Sequence, residues 1–213
     1  MMTTPRPGPL EGGGGTYGVG LTLILKYSSA VMPGFKELGR SEPLLTELLL
    51  PALCAAAPSR VLWVSSGGMY SEPLSVGELE MGPDDYDGVT AYARAKRAQV
   101  TLTELYADRL LPRGVVVHAM HPGWADTPGV ARSLPMFRRM MGPLLRTPAD
   151  GADTLVWLAA NDDEVLADSG LFWLDRRPRP IHRLGRTSRS DTPEERARLL
   201  KWVNEKAGLP LSR

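Results

Sequence analysis

The run Arg60-Val-Leu-Trp-Val-Ser-Ser-Gly-Gly-Met-Tyr70 restricts the folding of this chain more than any other stretch. Arg60 to Val64 is short, apolar and rich in β-branched and aromatic residues. Pro58-Ser59 precede it and Ser65-Ser66-Gly67-Gly68 follow, so it reads as a buried strand that ends on two hydroxyls. From Thr90 to about Leu111 the apolar residues recur at helical spacing, which stacks Tyr92 and Lys96 one above the other on a single helix face. A second apolar strand, Gly114 to Met120, runs directly into His121-Pro-Gly-Trp-Ala-Asp-Thr127.

Those residue types suit proton transfer. A free tyrosine titrates at about pH 10, too high for a base near neutrality. An ammonium one helical turn away favours the phenolate and lowers that value. A serine hydroxyl at the strand end can hold a carbonyl or alcohol oxygen while the tyrosine gives or takes its proton. A lone Tyr-x-x-x-Lys is a common helix pattern; the preceding Val-Ser-Ser-Gly-Gly gives it weight.

The order of these segments resembles the C-terminal half of the short-chain dehydrogenase/reductase family, over roughly Leu44 to Gly208. The resemblance implies a Rossmann-like α/β fold, NAD or NADP as cofactor, and a small carbonyl or alcohol as substrate. It matches Ser66, Tyr92 and Lys96 to the catalytic serine, tyrosine and lysine, with Ser65 as a structural neighbour. By the same resemblance Lys96 also binds the nicotinamide ribose, and the Pro122-Gly123 turn and the Thr127 hydroxyl meet the nicotinamide end. Gly14, Gly18 and Gly20 fit the spacing of the family's phosphate loop, although they also belong to a low-complexity Gly/Pro run. Lys36 stands where the family usually carries the asparagine of its tetrad. The family's dimer helices correspond to the helix before the serine strand and the helix of Tyr92, which implies a homo-oligomer or pairing with a full-length relative.

At 213 residues, with 43% apolar and 23% charged residues, the chain is long enough for one ordinary domain with its own core. A net charge of +1 gives no electrostatic case for nucleic acid. Cys54 is the one cysteine, and His118, His121 and His182 lack metal-ligand spacing, so no disulfide or metal site is expected. Val19 to Leu25 is too short to span a membrane. With no leader pattern at the start, the expected location is the cytoplasm.

Residues 1–42 read as a disordered or irregular Gly/Pro-rich segment, 43–208 as the catalytic half, and 209–213 as a tail. Leu21 to Leu25 fits a strand or one helical turn. Pro43 to Ala57 reads as a helix that Pro51 kinks or divides, and Met69 to Val89 as an acidic connector or a loop over the substrate. Arg94 and Arg97 are expected in solvent. Met136, Phe137, Met140 and Met141 suit an adaptable pocket or a satellite core. Thr147-Pro148 and Thr192-Pro193 mark helix starts, Gly170 to Asp175 a final strand, and Arg176 to Ser190 a basic loop.

Fewer than sixty residues precede Arg60, short of the usual strand–helix alternation of a full dinucleotide fold. The expected architecture is therefore a partial doubly wound sheet of three or four parallel strands with helices on both faces. The serine strand would lie at its edge. Two functions stand side by side: an NAD(P)-dependent oxidoreductase, or a truncated, inactive remnant that pairs with a full-length relative.

Overall fold

The structure, a computed structural model, describes residues 22–26, 41–126, 136, 139, 145–161 and 165–209. Gly14, Gly18, Gly20, Lys36 and Thr127 lie outside them, as do Phe137, Met140 and Met141.

A five-stranded sheet runs in the order β1 (Thr22–Lys26), β2 (Ser59–Val64), β3 (Val115–Met120), β4 (Phe172–Leu174) and β5 (Arg177–Arg179). The first four strands are parallel, and β5 returns antiparallel to β4. The apolar Arg60–Val64 run is thus a strand, but it is interior. Thr22–Lys26 pairs with Arg60–Val64 residue for residue, so the expectation of an exposed serine-strand edge is corrected. An extended Thr-Leu-Ile-Leu segment satisfies the backbone groups on that side of β2, and of the two readings of Leu21–Leu25 the strand holds. The Phe172–Leu174 strand is likewise not the last, because β5 follows it across a two-residue turn at Asp175 and Arg176, both at positive φ.

The pleat of β2 divides the core. Val61 and Trp63 face one way, with Val115 and Val117 of β3, and meet the helices α1 (Ser41–Ala55), α2 (Gly88–Leu110) and α5 (Pro193–Ala207). Leu62 and Val64 face the other way, with Met120 and Trp173, onto Leu158 of α3 (Pro148–Ala160). Alternation of side chains along a strand therefore places apolar residues on both faces, and helices cover both. This is the doubly wound arrangement.

The helix boundaries follow local chemistry. Asp87 accepts from the Thr90 N–H to open α2. Thr147 and Asp150 exchange side-chain bonds with each other's backbone N–H, a capping box with Pro148 in the first turn of α3. Thr192 caps α5 through the Glu195 N–H. Pro51 lies within α1, which runs unbroken from Ser41 to Ala55. The expected basic loop 176–190 instead contains β5 and the short helix α4 (Gly185–Ser190).

Arg97 is the clearest departure from the sequence reading. It is 0% exposed, with Nε donating to the Met69 carbonyl at 3.2 Å and Nη2 to the Ile181 carbonyl at 2.7 Å. One face of α2 lies under both the turn after the serine strand and the C-terminal segment, so this arginine is enclosed. Asp191, at the end of α4, pairs with Arg196 and His182 nearby. Arg94 remains partly exposed and pairs with Glu72 and Glu78 of the acidic connector. That connector is anchored: the Leu74 and Val76 N–H groups donate to Ser190 and Glu195. Among the described residues no helix is long and apolar enough to cross a membrane, and no cluster of His, Cys, Asp or Glu could hold a metal ion.

Candidate active site

In parallel sheets flanked by helices, ligands bind beyond the carboxyl ends of the strands. Ser66 follows the carboxyl end of β2, and His121-Pro122-Gly123 follows that of the neighbouring β3. The site residues are gathered at this edge because Ser65-Ser66 directly follow β2, and α2, packed against β3 and the turn Gly67–Ser71, carries Tyr92 near its start.

Ser66 is extended (φ −151°, ψ 150°) and its Oγ accepts the Gly68 N–H at 3.2 Å, which starts the tight turn Gly67–Ser71. Its hydroxyl is near enough to Tyr92 to favour the phenolate. The backbone of Gly68 lies against both groups: a Cβ added there would stand 3.6 Å from Ser66 Oγ and 3.8 Å from Tyr92 Cε1. Serine and tyrosine, separated in sequence by a connector, thus meet in space.

Lys96 is buried beneath them. Its Nζ lies 5.8 Å from the centroid of the Tyr92 ring and donates to the Val64 carbonyl at 2.9 Å and to Gln99 Oε1 at 3.0 Å. The Lys96 carbonyl in turn accepts from Ser65 Oγ at 3.3 Å, which gives Ser65 the structural part expected of it. Burial is the larger influence on Tyr92 and raises its pKa above the ordinary phenol value, with the neighbouring Ser66 hydroxyl offsetting part of the rise. The sequence expectation was a lowered value. The physical reason for the difference is desolvation of the phenolate, which here outweighs every favourable contact.

His121 is a neighbour that the sequence reading considered only as a metal ligand. It stacks on Phe172 with ring centroids 5.4 Å apart and lies 3.4 Å from a Cβ placed on Gly67. The Gly123 N–H donates to its Nδ1 at 3.1 Å, which leaves the proton of the neutral ring on Nε2. Burial, followed by the nearby Arg146 and Arg183 cations, holds its pKa down to about 4, so the ring is neutral at physiological pH. The contact with Gly67 follows from strand order, and no local spacing announces it.

Gly123 has a left-handed backbone (φ 72°), and the Arg146 guanidinium approaches the space a Cβ would take to 3.0 Å. Arg146 is fixed by a bidentate pair with Asp175. Pro122 and Gly123 therefore form a tight turn directly after His121, whose ring lies against Gly67. Around Tyr70 the same edge becomes basic: its hydroxyl donates to the Pro180 carbonyl at 2.7 Å, and the Arg183 guanidinium rests 4.4 Å over its ring.

Comparison with known proteins agrees with this geometry. The chain is 43% identical over 164 residues to dehydrogenase/reductase SDR family member 12 of Bos taurus, and 39% identical over 164 residues to that of Homo sapiens. This chain belongs to the short-chain dehydrogenase/reductase family. The two alignments cover 76% and 77% of this chain but only 50% and 51% of the relatives, so the chain spans about half the length of the curated relatives it matches. Retinol dehydrogenase 14 of Mus musculus is 34% identical over 140 residues, covering 62% of this chain and 41% of that protein. No family model matches.

Among solved structures, an uncharacterized protein from Mycobacterium paratuberculosis superposes with a TM-score of 0.61 at 20% identity, covering 92% of this chain and 70% of its own. The 3-ketoacyl-(acyl-carrier-protein) reductase of Brucella melitensis, complexed with NADH, gives 0.51 at 18% identity, covering 71% of this chain and 63% of its own. At these identities the likeness is one of fold, and the fold shared is Rossmann-like.

Proposed function

We propose that the chain is an NAD(P)-dependent oxidoreductase that interconverts an alcohol and a carbonyl, with Ser66, Tyr92 and Lys96 as its catalytic residues. The observation that carries the reading is the convergence of Ser66 Oγ and the Tyr92 ring on Gly68, 3.6 Å and 3.8 Å from a Cβ placed there, with the Lys96 ammonium 5.8 Å from the Tyr92 ring centroid. Ser66 offers its hydroxyl to the substrate oxygen. Tyr92 gives its proton to that oxygen in the reducing direction and takes it back in the oxidising one. The Lys96 charge opposes the cost of the phenolate left on Tyr92. A bound nicotinamide would supply or accept the hydride.

The tight Pro122-Gly123 turn at the carboxyl end of β3 fits the nicotinamide end of such a cofactor, and Thr127 would hold its carboxamide. The phosphate end falls to Gly14, Gly18 and Gly20. The substrate is a small carbonyl or alcohol and the location the cytoplasm, with neither nucleic acid nor a membrane span in the reading.

A second reading is a non-catalytic partner that pairs with a full-length relative or with its own copy. Leu45, Leu48 and Leu49 stand exposed along one face of α1, and these favour a helix–helix contact. One experiment separates the two. Titration of the 213-residue chain with NADH and NADPH, followed by energy transfer from tryptophan to nicotinamide, should show saturable micromolar binding. Turnover of a carbonyl panel should then vanish in Tyr92→Phe. A folded chain that binds neither cofactor would sink the enzyme reading and leave the partner.

A further inference from the structure

Lys96 does not sit alone beneath the site. Gln99, one turn along α2, accepts from Lys96 Nζ through Oε1 at 3.0 Å and donates through Nε2 to Glu42 Oε1 of α1 at 3.1 Å. All three residues are enclosed: Lys96 is 3% exposed, Gln99 4% and Glu42 5%. The amide orientation is unambiguous. An ammonium only donates and a carboxylate only accepts, so Gln99 must present oxygen to the cation and N–H to the anion. Its dipole is aligned between two opposite charges, on a path that joins α2 to α1 through residues 57 apart in sequence.

Resting on the oxidoreductase reading, we propose that Gln99 and Glu42 are positioning residues, a buried relay that keeps the Lys96 ammonium charged and aimed beneath Tyr92. A buried ammonium is costly unless its N–H groups are met and a counter-charge is near. The Val64 carbonyl meets one of them at 2.9 Å, Gln99 Oε1 meets another, and Glu42 supplies the negative charge through the amide. Without the relay, Lys96 would lose its proton more readily and Tyr92 would lose the cation that favours its phenolate. Gln99 and Glu42 need touch neither substrate nor cofactor. They act through Lys96.

The test reads the protons directly, on the cofactor-free full chain. Lysine labelled at Cε and tyrosine labelled at Cζ are titrated by NMR, with Lys96→Met and Tyr92→Phe assigning the signals. In Gln99→Leu the acid dissociation constant of Lys96 should rise at least about tenfold, and the Tyr92 midpoint should move to higher pH. Glu42→Gln, which keeps the hydrogen-bonding shape but removes the charge, should shift Lys96 the same way by less. Should Gln99→Leu fail to fold, Glu42→Gln decides by itself. Lys96 dissociation within about twofold of the native value in the folded variants would overturn the relay. Because no cofactor is present, the outcomes separate: absent NADH binding would sink the oxidoreductase reading, whereas unmoved titrations in a chain that binds NADH would sink the relay alone.

Discussion

Replacing Arg97 by methionine tests how the turn that carries Ser66 is held. The guanidinium is fully enclosed and donates to two carbonyls, Met69 at 3.2 Å and Ile181 at 2.7 Å. Methionine fills much of the same space and donates nothing. A buried carbonyl stripped of its donor costs about 1–3 kcal/mol, so the pair loses about 2–6 kcal/mol. Part of that is returned, because the variant no longer desolvates a cation whose Nη1 has no hydrogen-bond partner among the described residues. Asp191 keeps its pair with Arg196 in the variant, which limits the damage to the carbonyls. A net loss of about 2–4 kcal/mol results. With a urea dependence of about 2 kcal/mol per molar, the unfolding midpoint read by tryptophan fluorescence should fall by about 1–2 M. The Met69 carbonyl lies three residues beyond Ser66, so cofactor-dependent turnover should fall as well. A midpoint equal to or above that of the native chain would refute the reasoning, and would mean that desolvation of the guanidinium outweighs its two hydrogen bonds.

Tyr92→Phe should lower turnover by about 10²–10⁴-fold while leaving NADH binding measurable, since it removes a proton donor and little bulk. Thr147→Ala removes half of the α3 capping box and should cost about 1 kcal/mol, seen as a lower melting temperature. Gly123→Ala places a side chain at φ 72° beside the Arg146 guanidinium and should cost about 1–2 kcal/mol, with a drop of a few degrees in the melt. His121 gives a pH prediction. Its folded-state pKa of about 4 lies below the unfolded value of about 6.5. The unfolded chain therefore takes up a proton first as pH falls, and stability is lost between these two values. The His121 share of that loss is about 2–3 kcal/mol, and His121→Phe should flatten the difference between stability at pH 7 and pH 4 accordingly. An unchanged difference would show that the ring is not buried as a neutral group.

The sequence by itself determined the strands ending at Val64 and Met120, the helix that stacks Tyr92 over Lys96, and the starts of α3 and α5. These rest on local causes: an apolar β-branched run, a 3.6-residue period, and a hydroxyl that caps the next turn's N–H groups. Because the proposed site draws on residues at element ends, Ser66, Tyr92 and the Pro122-Gly123 turn stood as candidates on sequence alone, and the structure adds where each lies. Whether an element sits inside or at the edge of the sheet is a different kind of fact. Leu21–Leu25 carries too few residues to distinguish strand from helical turn, and only the pairing of Thr22–Lys26 with Arg60–Val64 decides the matter. Arg97 carries a charge, the usual mark of a solvated face, yet two segments far along the chain close over it and offer carbonyls. Burial likewise raises the Tyr92 pKa where the Tyr-x-x-x-Lys spacing alone pointed downward. The contact of His121 with Gly67 and the bond of Gln99 to Glu42 join elements with no local relation. Desolvation and long-range pairing depend on what the rest of the chain brings to a residue, and that is settled only when the sheet and its helices are assembled.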